Sequence, residues 1–169
     1  MPKVILLCGK IGCGKSSYAE MLRAQSPAVL LSCDEITFAL FGENLGGKHD
    51  ETVGRIQGYL FRKSAEIIGA GADVILDWGF WTREQRDFAR GFYRNLGAIC
   101  ELHFIEVSDA VWRANLQKRN RQITAGQTDS YYVDDGLAAK SGALFEPPAS
   151  DEIDVRVHVQ EETQKEDMP

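Results

Sequence analysis

The sequence predicts an α/β fold: a parallel β-sheet with helices on both faces. Five short apolar, β-branched runs have the length and composition of strands: Lys3–Cys8, Ala28–Ser32, Asp73–Asp77, Cys100–Val107 and Val155–Val159. They are mostly continuous in apolar character, as strands buried on both faces are. Helical patterns alternate with them, which is the signature of crossover units and a parallel sheet. A glycine-rich loop follows the first run directly and leads into a helix, Lys15–Gln25.

The elements follow in order. After the second strand, Ile36–Phe41 reads as a short helix, with Asp34 suited to its N-cap. Glu51–Gly69 carries Val53, Ile56, Leu60 and Ile67 on one stripe, the spacing of an amphipathic helix. Thr82 and Gln85 stand in capping-box spacing at the start of Arg83–Leu96. Asp109–Arg121 and about Val133–Leu144 complete the helices, and Pro147-Pro148 breaks the chain before the last strand. Glycines punctuate Gly42–Gly47 and Gly69–Gly71, and Arg121–Ser130 is polar enough to predict a mobile connection.

The chain has 169 residues, 44% hydrophobic and 26% charged, which predicts one globular domain over 1–159. Residues 160–169 are polar and acidic and predict a flexible tail. No apolar run approaches the ~20 residues needed to cross a bilayer. The start, Met1-Pro2-Lys3, lacks the apolar stretch of a secretory signal, so a cytoplasmic location is expected. The four cysteines form no C-x-x-C pair and the three histidines are scattered, which argues against a zinc site. Cys8, Cys33 and Cys100 read as buried thiols, whereas Cys13 lies in the glycine-rich loop and is expected to be exposed. A net charge of −6 argues against binding long nucleic acid electrostatically.

Gly9-Lys10-Ile11-Gly12-Cys13-Gly14-Lys15-Ser16 matches the phosphate-loop pattern G-x-x-x-x-G-K-[ST]. Glycines let successive N–H groups point into one concavity, and the following helix adds its positive end. Gly9, Gly12, Cys13, Gly14, Lys15, Ser16 and Ser17 are therefore the candidate nucleotide-binding residues. Lys15 would reach the β- and γ-phosphates of ATP, and Ser16 would ligate Mg²⁺. The pattern arises by chance in roughly one random chain of this length in a few hundred, and here a strand precedes it and a helix follows.

Other residues suggest a reaction. The chain has no N-K-x-D motif for guanine and is too short for a motor or transporter, which leaves a small kinase. Asp34 follows the second strand, at the carboxyl edge where parallel sheets bind ligands. It suits a base that takes the acceptor's hydroxyl proton. Asp77 ends Val74-Ile75-Leu76 and resembles a metal-holding acid; binding the acceptor or orienting an arginine are alternatives. Arg113, Lys118, Arg119 and Arg121 crowd one helix, and Arg119 is the favoured phosphate clamp. Arg83, Arg86, Arg90 and Arg94 line one helix face, either a solvated face or an anion-steering stripe, with Arg86 the candidate acceptor contact. Trp78, Phe80 and Trp81 could stack a base or simply pack a loop, and Phe145–Pro148 offers the same choice.

Together these motifs resemble the small P-loop kinases that include the 5′-hydroxyl polynucleotide kinase domain, chloramphenicol phosphotransferase and the zeta-toxin-like kinases. The resemblance rests on Gly9–Ser16, on Asp34 after strand 2, on Val74-Ile75-Leu76-Asp77, and on Val111–Asn120 as a lid helix carrying Arg119. The segment Leu76–Arg86 and Phe145-Glu146-Pro147-Pro148 resemble a bacterial subgroup of ATP-binding kinases. The likeness implies a P-loop NTPase fold of the nucleoside-monophosphate-kinase type, with strand order 2-3-1-4-5 and a small lid over about residues 113–145. It implies ATP and Mg²⁺ as cofactors, with Lys15, Asp34 and Arg119 catalytic, Ser16 and Asp77 at the metal, and Asp34 at the acceptor hydroxyl, beside the Asp77 and Arg86 contacts suggested above. Polynucleotide kinases of this group carry Asp-x-x-Arg after strand 2; here the run is Asp34-Glu35-Ile36-Thr37. Asn115 likewise stands where an arginine often precedes the lid arginine. Both differences tilt the expected acceptor from a nucleic-acid 5′ end toward a small-molecule hydroxyl.

Overall fold

The computed structural model describes residues 1–42, 45–128 and 130–159. The expectations placed on 43–44, on Asp129 and on the 160–169 tail lie outside the described residues. The five strands are β1 (Lys3–Cys8), β2 (Ala28–Ser32), β3 (Asp73–Gly79), β4 (Ile99–Val107) and β5 (Val155–Val159). They form one sheet of order β2-β3-β1-β4-β5 in which each neighbouring pair is parallel. The expected order holds. The helices are α1 (Lys15–Gln25), α2 (Cys33–Phe41), α3 (His49–Gly69), α4 (Arg83–Asn95), α5 (Asp109–Thr124) and α6 (Asp135–Leu144), with single 3₁₀ turns at Gly46–Lys48 and Ser150–Glu152.

Strand alternation sorts the core onto two faces. Val4, Leu6, Val74, Leu76, Leu102 and Phe104 pack with Ile68 of α3 and with Ala89 and Tyr93 of α4. Leu7, Ile75 and Ile105 face the other way, against Ala19 of α1. Asp77 shares the parity of Ile75, so the chain's own alternation directs it toward α1. β1, β3 and β4 are buried on both faces, and this is why they read as continuous apolar runs.

Several boundaries move, each for a local reason. Helix α2 begins at Cys33 because Ser32 caps it: the Ser32 hydroxyl accepts from Glu35 N–H at 3.3 Å. Asp34 is therefore not the N-cap, and its carboxylate stands in the first turn. Strand β3 runs two residues past Asp77, to Gly79. Helix α5 extends to Thr124, so the first four residues of the stretch predicted as a mobile connection are helical. Asp134 caps α6 and starts it two residues later than predicted, with Leu137 N–H donating to its carboxylate at 2.7 Å. The capping box of Thr82 and Gln85 is present as expected.

Candidate active site

The phosphate loop joins the carboxyl end of β1 to α1, and its glycines are there for space and for backbone angle. Gly12 and Gly14 hold φ of +72° and +104°, where L side chains are strained. A Cβ on Gly12 would stand 2.5 Å from Leu116 of α5, and one on Gly9 would stand 2.5 Å from the Cys13 sulfur. Cys13 is fully buried, which corrects the expectation of an exposed thiol. Its side chain fills the space that Gly9 leaves. Cys8 and Cys33 are buried as expected, and burial pushes each thiol up to about 12, so both stay protonated and inert.

The Lys15 ammonium donates to the carbonyls of Gly9 at 3.1 Å and Lys10 at 2.7 Å. At the next position the Ser16 hydroxyl donates to Asp77 Oδ2 at 3.0 Å. The two residues proposed for a metal, 61 positions apart in sequence, thus touch. Asp77 is 6% exposed. Burial pushes its pKa above the ordinary carboxylate value and the nearby Asp34 adds to this, while Lys15, Ser16 and Arg119 pull it back. No cluster of three acidic, histidine or cysteine ligands exists among the described residues. Ser16 and Asp77 are a pair of hard oxygen donors, which fits Mg²⁺ shared with phosphates rather than caged by protein.

Asp34 and Arg119 approach this pair from different elements. Burial lowers the Arg119 pKa, and the charges of Asp34 and Asp77 oppose that fall, so the three side chains lie within one field. Arg119 Nη2 donates to the Ser130 hydroxyl. Its buried Nε–H has no partner among the described residues, a cost that an added acceptor oxygen would relieve. Two contacts that sequence reasoning missed seat α5 over the loop. Trp112 Nε1–H donates to Ile11 O at 2.7 Å, and Lys10 lies over the Trp112 ring at 4.8 Å. Only a tryptophan two turns ahead of Arg119 hinted at this.

Beyond α5, the Asn120 side chain clips Val133 in both directions, donating to its carbonyl at 2.7 Å and accepting from its N–H at 3.0 Å. This brings Tyr131 against Phe38 of α2 and His49 of α3, with ring centroids 6.0 and 5.7 Å away. Phe38 is one turn from Asp34 on α2, so Tyr131 covers the same side of that helix. No signal in the sequence marked this tyrosine.

Arg86 is not an acceptor contact. It is 1% exposed, and its guanidinium is consumed internally. Nε donates to Glu152 Oε1 at 2.8 Å, and Nη1 donates to the carbonyls of Phe80, Trp81 and Glu146 at 3.1, 3.3 and 2.9 Å. Arg90 is likewise tied to Asp154 and to the carbonyl of Glu152. The stripe of four arginines therefore has its two middle members fastened to the segment before β5. The aromatics resolve toward packing. Phe80 is buried, Trp78 packs edge-on against Phe61, and Phe145 stacks on Phe104 in the core. Thr37 is buried and donates to Cys33 O at 2.7 Å, so that helix position offers no phosphate clamp.

A five-stranded parallel sheet of this order, with a phosphate loop after its central strand, defines the P-loop kinase-like class. Within that class the chain belongs to the AAA domain family AAA_33, whose model matches residues 4–146. No curated protein matches the sequence significantly. Among solved structures it is similar to a provisionally named kinase from Chloroflexus aurantiacus J-10-fl, with a TM-score of 0.71, 18% identity, and coverage of 94% of this chain and 87% of that one. It is also similar to a gluconokinase from Sinorhizobium meliloti 1021, with a TM-score of 0.63, 18% identity and coverage of 94% and 82%. A third similar structure is Chaetomium thermophilum Kti12 in complex with ADP-AlF3, with a TM-score of 0.65, 13% identity and coverage of 96% and 91%. At these identities the likeness is one of fold.

Proposed function

We propose that the chain is an ATP- and Mg²⁺-dependent kinase that moves the γ-phosphate to a hydroxyl of a small molecule. The observation that carries the reading is the convergence of five side chains. Ser16 bonds to Asp77 beside Lys15, and Asp34 and Arg119 share the electrostatic field of that pair. A pure nucleotide-binding module has no use for the second carboxylate and the clamp.

In this mechanism Gly9–Ser16 hold the β- and γ-phosphates through backbone N–H groups, and Lys15 turns from its loop carbonyls to the phosphate oxygens. Ser16 and Asp77 would hold Mg²⁺, which when bound neutralises phosphate charge. Asp34 accepts the proton of the acceptor hydroxyl as that oxygen bonds to the γ-phosphorus. The bond to the β-phosphate oxygen breaks in line, and ADP carries away the electron pair. Arg119 meets the charge spread over the transferring group and finds there an acceptor for its orphaned Nε–H. The segment from α5 to α6 serves as the lid.

A small acceptor is favoured over a nucleic-acid end because Thr37 is buried and Arg86 and Arg90 are internally paired. The test is incubation with Mg-ATP and a metabolite extract, followed by mass spectrometry for a new phosphate ester, with a 5′-hydroxyl oligonucleotide as a parallel arm. A new phosphorylated small molecule is expected. Phosphate appearing only on the oligonucleotide would move the acceptor class. Transfer to neither, with tight nucleotide binding, would reject the kinase reading.

A further inference from the structure

The end of β3 and the turn that follows it are strained and hydrogen-bonded to the phosphate loop. Gly79 has φ of +90° and Phe80, a buried non-glycine, has φ of +44°. A bulky residue in that region is held only where its surroundings over-determine it. Here they do. The Phe80 carbonyl accepts from Cys8 Sγ at 3.5 Å and from Arg86 at 3.1 Å. The Trp81 carbonyl accepts from Arg86 at 3.3 Å and from Glu146 N–H at 2.8 Å. Arg86 is itself fixed by Glu152, whose other oxygen accepts from Ala149 N–H at 2.8 Å.

The product of this scaffold is the position of one indole. Trp81 Nε1–H donates to the carbonyl of Gly9 at 3.1 Å, while Gly9 N–H donates to Gly79 O at 3.1 Å. The first residue of the phosphate loop is thus gripped at its N–H by the last residue of β3 and at its carbonyl by the turn that follows. The indole passes so close to Gly79 that a Cβ there would stand 2.5 Å from Nε1. Gly79 is therefore required for the approach as well as for its backbone angle.

The geometry points to Trp81 as a positioning residue for the phosphate loop, with Arg86 and Glu152 behind it. The Gly9 carbonyl has two donors, the indole and Lys15 at 3.1 Å. On the kinase reading, on which this inference rests, Lys15 leaves for the phosphates. The indole N–H then remains to satisfy that carbonyl and to hold it turned away from the incoming anion. Without it, a bare carbonyl dipole sits at the mouth of an anion site.

The test is calorimetric titration of ADP and, separately, of pyrophosphate into wild-type and Trp81→Phe protein. The substitution keeps a ring and deletes the N–H. Both ligands are expected to weaken by roughly fivefold to tenfold, the value of one neutral hydrogen bond, and by the same factor. A merely structural role would lower the melting temperature without that matched loss. Unchanged affinities overturn the inference, and so does a loss for ADP alone, which would make the ring a base-stacking platform. If Trp81→Phe fails to fold, site-specific replacement by benzothienylalanine removes only the N–H, with the same outcomes deciding. Wild-type protein that binds neither ligand overturns the phosphate-loop reading itself, and this inference with it.

Discussion

Lys15 and Asp34 bear the sharpest expectations at the residue scale. Lys15→Ala removes the cation that the loop carbonyls hold ready for the transferring phosphate, and turnover should fall by about 10³-fold or more in a coupled ADP-release assay. Asp34→Ala should lower turnover by roughly 10²- to 10⁴-fold while nucleotide affinity, read by calorimetry, stays near wild type. Asp77 carries a different prediction. Burial raises its pKa, so the ionised carboxylate is held at a cost in the free protein. Asp77→Asn keeps an oxygen for Ser16 and removes that cost. It should raise the melting temperature by a few degrees and abolish turnover, the trade-off expected of an acid kept for function.

At the scale of elements, the arrangement depends on three fasteners. Ser32 caps α2 and leaves the Asp34 carboxylate uncommitted. Trp112 and Leu116 seat α5 on the loop, and that seating sets where Arg119 falls. Arg86 joins α4 to the turn after β3 and to Glu152. Breaking a buried ion pair from one side leaves the other charge unpaired, so Arg86→Met should destabilise the fold by about 3–5 kcal/mol in urea titration. The double replacement Arg86→Met with Glu152→Gln should recover part of that loss. A single change no worse than an exposed substitution would show that the pair does not anchor the turn.

The acid side of the stability curve belongs to the whole molecule. His103 lies 2.9 Å from the Tyr18 hydroxyl and 3.2 Å from Glu101, which also pairs with Lys3. Burial lowers the His103 pKa below its ordinary value, more than Glu101 raises it. Below pH ~6.5 the unfolded chain then binds a proton that the folded chain does not, so stability is full above that pH and declines beneath it. Glu101 is also partly desolvated, but its bonds to Lys3 and His103 outweigh this and lower its pKa. Its contribution is present above about pH 4.5 and is lost as pH falls through the folded value. Asp77, with its raised pKa, acts in the opposite sense. Thermal melts should drop first as pH falls below about 6.5, and His103→Gln should flatten that part of the curve.

Much of this was legible before folding. The phosphate loop is a local pattern whose meaning depends on backbone angles of a few adjacent residues, so its glycines announce it. The strands and their parallel pairing follow from continuous apolar runs separated by helices. Asp34 and Asp77 were legible as acids at strand ends. Arg86 was misread because a helical stripe of arginines shows the spacing of a face but not which way the face points. Its partner is Glu152, 66 residues away, and no local signal records that pairing.

The sequence by itself determined the fold class, the phosphate loop and the acids at the carboxyl edge, because short-range backbone chemistry and hydrophobic periodicity are written residue by residue. Tertiary structure alone decided which side chains meet. It placed Ser16 against Asp77, buried Cys13 beneath Gly9, turned Arg86 inward and aimed the Trp81 indole at the loop. Those outcomes depend on long-range packing, where a charge takes whichever partner the fold brings within reach of it.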